Sequence, residues 1–376
     1  MRSRGVIAFA LRSNALTNIR SLSSSTQRSM AANNDLLSFH INRLKSSPKQ
    51  SLLLDGGTGE ELFLHGVPDD RKIWSATAIV QEEYHDIVEK VHRSFIEAGS
   101  QAITTNSYGI IPGAGFIDGE EVKRLTGAAG EIGRRAVTND GTATALVLGS
   151  LGPLVESYRA DLIMKHEDGV RCYQYPIEGL YPYVDLYLAE TMSCTEEACQ
   201  VIDALATAKG GDCKHPLLIS FTLSGDGKLR SGELVVDCIP KVIKFADQKN
   251  VELTGILFNC CEPEAISIAM KKIESNTKIY QYMHHPPRGT SSGSNSVTSK
   301  VFIGAYANKL TAVDPNWTMA TSTAAQPMRD DLPPNEYWKF VKGWHNADGV
   351  QLIGGCCGIG PAHISCLRDN LMLSDK

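Results

Sequence analysis

Leu352-Ile353-Gly354-Gly355-Cys356-Cys357-Gly358 places two adjacent cysteines directly after an apolar run that reads as a buried strand. An element of the same kind stands earlier in the chain, Leu257-Phe258-Asn259-Cys260-Cys261. Neighbouring side chains of a regular strand point to opposite faces, so Cys356 and Cys357 can meet at one point only if the backbone leaves strand geometry. The flanking glycines permit that. Two thiolates from this turn and one from the earlier strand end make three soft ligands. They leave one position of a tetrahedral zinc site open, the arrangement of a catalytic zinc. The competing reading is that the cysteines pack as small hydrophobes. All ten cysteines follow position 170, in a long chain without a secretory pattern, which speaks against a disulfide framework. No close Cys-x-x-Cys or His-x-x-x-His pair marks a structural zinc finger.

Working outward, short apolar runs alternate with helical patterns. The strand candidates are Ser51–Asp55, Gln101–Thr105, Ala145–Gly149, Val184–Ala189, Leu217–Phe221, Leu253–Phe258, Val301–Gly304 and Val350–Ile353. Helical spacing marks Glu82–Ala98, Gly119–Ala136, Thr195–Ala208, Glu233–Gln248, Pro263–Glu274 and Asn335–His345. This alternation predicts an α/β fold, a single (β/α)8 TIM-type barrel over residues 35–370. A doubly wound open sheet is the alternative, but no Gly-x-Gly-x-x-Gly follows a strand. Barrel chemistry sits at the C-terminal strand ends, where Asp55-Gly56-Gly57, Thr105-Asn106, Gly149-Ser150, Glu190-Thr191, Asn259-Cys260 and Cys356-Cys357 fall. Each has a plainer reading: Asp55-Gly56-Gly57 as a tight turn, Glu190 with Thr191 or Ser193 as a helix cap.

Of the 376 residues 42% are hydrophobic and 21% charged, as in an ordinary globular enzyme. A net charge of −5 offers no footprint for nucleic acid, and no apolar run is long enough to span a membrane. Small molecules are the expected partners. Residues 1–34 carry Arg2, Arg4, Arg12, Arg20 and Arg28, several serines and no acid, the composition of a mitochondrial or other organelle transit peptide. A disordered tail is the alternative, and a start at Met30 would give a cytoplasmic form. A Ser/Gly-rich insertion near 284–300 reads as a surface loop, and its His284-His285 lacks a second ligand at usable spacing.

In order along the chain, Leu54-Asp55-Gly56-Gly57-Thr58-Gly59-Glu60-Glu61-Leu62, Ile73-Trp74-Ser75-Ala76, Val91-His92, Ala98-Gly99, Ile103-Thr104-Thr105-Asn106-Ser107-Tyr108, Gly149-Ser150-Leu151-Gly152-Pro153, Glu190-Thr191-Met192, Ser220-Phe221-Thr222, Asn259-Cys260 and Gly354-Gly355-Cys356-Cys357-Gly358 resemble the homocysteine S-methyltransferase family. The resemblance runs from about Leu52 to His363. It implies a zinc-dependent barrel that methylates the sulfur of homocysteine, forming methionine. It implies Cys260, Cys356 and Cys357 as zinc ligands, and Asp55, Gly56 and Glu190 around the substrate's amino group. Thr105 and Asn106 would line the pocket, and Asn308 would take zinc's open position at rest. Thr58 and Glu60 depart from the Met and Thr usual in the family's Gly-Gly-Met-Gly-Thr-Glu pattern, a departure expected to alter the donor contacts, and Cys261 makes a second candidate beside Cys260.

The family's methyl donors are S-methylmethionine, S-adenosylmethionine, betaine or a folate. The chain stops soon after His363, which favours a sulfonium donor over betaine or folate. A betaine-type or selenocysteine methyltransferase, or a non-catalytic zinc- or thiol-binding barrel, is the alternative.

Overall fold

The computed structural model describes residues 35–276, 279, 300–314, 317, 318, 326–347 and 349–374. The leader at 1–34, His284-His285 and the 284–300 insertion (save Lys300) lie outside the described residues. Eight parallel strands form one sheet: β1 (Leu52–Leu53), β2 (Ala102–Thr104), β3 (Leu146–Leu151), β4 (Leu186–Met192), β5 (Leu217–Phe221), β6 (Leu253–Asn259), β7 (Phe302–Tyr306) and β8 (Leu352–Ile353). Their spatial order, β1-β8-β7-β6-β5-β4-β3-β2, wraps the sheet into a barrel and disposes of the open-sheet alternative. Each strand falls on the run expected of it.

Period-two alternation sorts the apolar side chains. Leu52, Leu54, Leu146, Leu148, Leu186, Leu188, Leu218, Leu257 and Leu352 fill the barrel interior. Leu53, Val147, Ile219, Ile256, Phe258 and Ile353 pack outward under the helices. The floor of the barrel is closed by a helix over residues 35–46, which carries Leu44 into the interior cluster. Gln351, just before β8, donates through Nε2 to the carbonyls of Leu44, Ser47 and Gln50 at 2.9, 3.0 and 2.8 Å. Sequence periodicity marked no element there.

The seam between β1 and β2 closes largely through side chains. Gln101 N–H donates to Leu53 O at 2.7 Å, and Gln101 Oε1 accepts from Leu53 N–H at 3.1 Å. Higher up, Asp55 takes over: its carboxylate accepts from Thr104 N–H at 2.7 Å and from Thr104 Oγ1 at 2.9 Å.

The surrounding helices are α1 (Thr58–Leu64), α2 (His85–Ala98), α3 (Gly119–Val137), α4 (His166–Leu180), α5 (Thr195–Thr207), α6 (Val235–Lys249), α7 (Pro263–Ser275), α8 (Pro334–Ala347) and α9 (Pro361–Ser374). Val88, Val91, Phe95 and Ala98 give α2 its buried stripe, and Gly99 ends it at φ 119°, a conformation few other residues adopt. α4 was not expected. Its Pro176 reads as a breaker, yet it sits buried within the helix. The expected start of α6 at Glu233 is also corrected: Glu233 stays outside the helix and accepts from Thr195 N–H and Oγ1 at the start of α5. No helix among the described residues is long and apolar enough to cross a membrane.

Candidate active site

The ends of β6 and β8 bring three thiols together. Cys260, Cys356 and Cys357 hold their sulfurs within 4.8 Å of one another, with Cys260–Cys357 and Cys356–Cys357 both at 3.9 Å. Sulfurs about 2.3 Å from one tetrahedral zinc would be about 3.8 Å apart, so this donor set fits a single ion with little movement. Cys260 gets there by a turn that strand alternation does not anticipate. Leu257 faces inward and Phe258 outward, so a continued strand would send Cys260 outward. Cys260 instead adopts φ 49°, a left-handed conformation, which swings its sulfur to the mouth. Cys261 then packs in the outer core, where burial pushes its thiol up to about 12. Of the glycines around Cys356-Cys357, only Gly358 is left-handed, at φ 78°. Gly56, after β1, is required for a close approach: a Cβ there would lie 1.9 Å from Ile359 O.

Hydrogen bonds from the Cys356 and Cys357 thiols, and from Tyr158 and Asn308, hold the Cys260 thiol well below its ordinary range, while its two neighbours are pushed up. Tyr158 Oη lies 2.9 Å from Cys260 Sγ, and Asn308 Nδ2 lies 3.9 Å from it. Tyr158 was not singled out from the sequence, where nothing in its spacing distinguishes it.

Two buried carboxylates lie below the thiols. Glu190 accepts from Ser150 Oγ, and burial, with Asp55 and Cys260 adding repulsion, raises it to about 8. Burial likewise raises Asp55 to about 7 against its bonds from Thr104. Glu190 does not cap α5; the helix's first N–H, that of Thr195, donates to Glu233, and Glu197 of the first turn accepts from Ser193 N–H at 2.7 Å. Thr105 Oγ1 accepts from Ser150 N–H at 3.0 Å and pairs with Ser107 Oγ, so it links β2 to β3. Asn106 Nδ2 donates to Ser75 O at 2.8 Å. A third carboxylate, Glu60 of α1, meets Gly358 N–H and the Cys357 thiol, and burial raises it to about 7.

These residues line one cavity of about 1210 Å³, counted out to its open mouth. Asp55, Gly56, Glu60, Thr105, Asn106, Glu190, Cys260, Cys356 and Cys357 all face it; Asn308 stands just behind Cys260. The outer wall is aromatic. Trp74 stacks on Tyr108 at 6.4 Å, and Trp317 bridges Trp74 and Tyr158 at 5.8 and 5.6 Å. The sequence reading assigned this wall no role.

A family model described as homocysteine S-methyltransferase matches residues 52–371. The homocysteine S-methyltransferase of Escherichia coli (strain K12) is 28% identical over 333 residues, covering 84% of this chain and 94% of that protein. Homocysteine S-methyltransferase 1 of Arabidopsis thaliana is 25% identical over 344 residues, covering 85% and 93%. Among solved structures, the metallated form of the homocysteine methyltransferase MmuM from Escherichia coli shares the fold with a TM-score of 0.61 at 23% identity, covering 85% of this chain and 96% of that one.

Proposed function

The chain belongs to the homocysteine S-methyltransferase family, and we propose that it is a zinc enzyme that moves a methyl group from a sulfonium donor, S-methylmethionine or S-adenosylmethionine, to L-homocysteine, forming methionine. The observation that carries this reading is the convergence of three sulfurs at the barrel mouth, above two buried carboxylates and inside an aromatic wall.

Cys260, Cys356 and Cys357 would hold the zinc, and bound zinc supplies the positive charge that ionises the homocysteine thiol at neutral pH. Three anionic thiolates keep the site negative, so the substrate sulfur stays electron-rich. Asp55 and Glu190 receive the substrate's ammonium, with Gly56, Thr105 and Asn106 shaping the pocket around its amino-acid end. Asn308 lies beside Cys260, suited to fill the fourth position when no substrate is present. Tyr158 holds the Cys260 sulfur by its hydroxyl. In the transfer the homocysteine sulfur forms a bond to the methyl carbon as the donor's carbon–sulfur bond breaks. The bonding pair returns to the donor sulfur and leaves a neutral thioether, so no general base is needed once the thiol is ionised. In-line positioning supplies much of the rest. Trp74 and Trp317 line the cavity with π-faces suited to a cation, while the Tyr158 ring is already met by Arg230 at 5.0 Å; the two indoles support a sulfonium or ammonium donor. Residues 1–34 are read as a targeting leader, so protein beginning at Met30 should keep full activity.

The test is metal analysis joined to a methyl-transfer assay over paired donors and acceptors, including betaine and selenocysteine. One zinc per chain, transfer to homocysteine from a sulfonium donor, and loss and recovery of activity on chelation and zinc return are expected. Activity that survives complete zinc removal overturns the zinc mechanism, and zinc without transfer to any acceptor favours a binding barrel.

A further inference from the structure

Glu60 is the carboxylate of the cavity that the amino-acid end of homocysteine does not need. The acidic residues lining the cavity, among those described, are Asp55, Glu60 and Glu190. Asp55 is engaged by Thr104 and Glu190 by Ser150, and both are buried, while Glu60 meets Gly358 N–H and the Cys357 thiol. Glu60 is only half-buried and rises from the first turn of α1, above the strand ends. It stands over Cys357-Gly358 at the end of β8. β4, which supplies Glu190, lies on the opposite side of the barrel. The cavity therefore has an acidic floor for the acceptor and one acidic group nearer its mouth.

The same cavity is lined by Trp74, Tyr108, Tyr158 and Trp317. The indole N–H groups of Trp74 and Trp317 have no partner among the described residues. The lining guanidinium, Arg71, is bonded to Asp69.

We infer that Glu60 selects the methyl donor by charge, favouring a sulfonium amino acid, whose carboxylate lies several bonds from the cation, over a betaine, whose carboxylate lies beside it. This rests on the transfer reading above. A donor entering from the mouth must bring its cation to a sulfur held beside Cys357, and hence close to Glu60. Aromatic faces attract the cation, and Glu60 adds a counter-charge that water screens only in part. A betaine would press its own carboxylate toward Glu60, a like-charge clash that discriminates against it. The longer arm of a sulfonium amino acid keeps its carboxylate several bonds from Glu60 instead.

Calorimetric binding to the zinc-loaded full chain, without homocysteine, tests this with S-methylmethionine and glycine betaine as probes. Glu60→Gln should weaken S-methylmethionine binding roughly tenfold, the scale of one ion–ion attraction partly screened by water, and leave betaine unchanged or tighter. Glu60→Asp, which keeps the charge, should retain more of the preference than Glu60→Gln. Equal changes for both probes, or none, overturn the inference, as does equal loss in the Asp and Gln variants. Zinc content of each variant shows whether the thiol site is intact. Failure of methyl transfer in the wild type would instead overturn the transfer reading, and binding discriminates the two because it needs no turnover.

Discussion

Asn259 and Thr191 hold each other across the barrel mouth: Asn259 Oδ1 accepts from Thr191 N–H and Asn259 Nδ2 donates to Thr191 Oγ1, both at 2.9 Å. Ser220 Oγ adds a third bond to Asn259 Oδ1 at 2.7 Å. Thr191 needs this clamp, because its φ of 62° is rare and strained for a β-branched residue. The residues next to the pair are Glu190 and Cys260, so one amide ties a buried cavity carboxylate to one of the three clustered thiols.

Asn259→Ala should therefore destabilise the fold by about 3 kcal/mol, at roughly 1 kcal/mol per buried hydrogen bond. It should also raise the homocysteine KM. Urea unfolding and steady-state kinetics read the two effects, and an unchanged midpoint would show that the clamp carries no strain.

The adjacent cysteines of β6 should separate cleanly. Cys260→Ser should empty the metal site and abolish transfer, while Cys261→Ser, in the outer core, should keep both. Metal content per chain decides. The reverse result would mean that the left-handed turn at Cys260 does not direct its sulfur to the metal.

Glu190→Gln keeps size and the bond from Ser150 but removes the charge proposed to face the substrate's ammonium. Homocysteine affinity should fall roughly tenfold, as a charge-assisted hydrogen bond becomes neutral, with zinc content unchanged. Unaltered affinity would take Glu190 out of the substrate site.

Acidification should weaken homocysteine binding. Asp55 and Glu190 titrate at about 7 and about 8 in the empty site, so they take up protons as the pH falls through that range and lose their hold on an ammonium. The homocysteine KM should rise on going from pH 8.5 to 6.5, by at most about tenfold per unit per group. Glu190→Gln should flatten the upper part of that profile.

Glu197 tests the same physics away from the cavity. Burial raises it from 4.5 to about 7 against its bond from Ser193 N–H. The folded chain thus binds more protons than the unfolded one in this interval. The contribution is present below pH about 4.5 and is lost as pH rises through about 7, on the order of 3 kcal/mol. In Glu197→Gln the unfolding midpoint of the metal-free protein should fall less steeply over this window. A slope equal to wild type would mean that Glu197 is ionised in the fold.

The barrel was legible because its strands are fully buried and read as unbroken apolar runs, as in Leu217–Phe221. The cysteines were legible because they follow such runs. What escaped depends on three-dimensional closeness rather than pattern. Pro176 hid α4, since a proline is a breaker by rule and is tolerated here by context. Tyr158 and Trp317 come from connecting segments with no periodicity to point them at the thiols, whereas Glu60 showed in the sequence as a departure from the family's pattern. Strand alternation would have turned Cys260 away from the mouth, and a single left-handed residue reverses it.

The helix over residues 35–46 also fixes an order of events. Its carbonyl at Leu44 is met by Gln351, 307 positions later in the chain. A ribosome delivers these two partners at opposite ends of synthesis, so the floor helix can be tied to β8, and the barrel closed, only after the last strand has emerged. Contacts of such long separation are slow to form and leave apolar surface exposed while they wait. The vulnerable species in the life of this protein is accordingly the almost-finished chain, seven strands assembled and the β1 and β7 edges still unpaired, and a holding chaperone would find its target there.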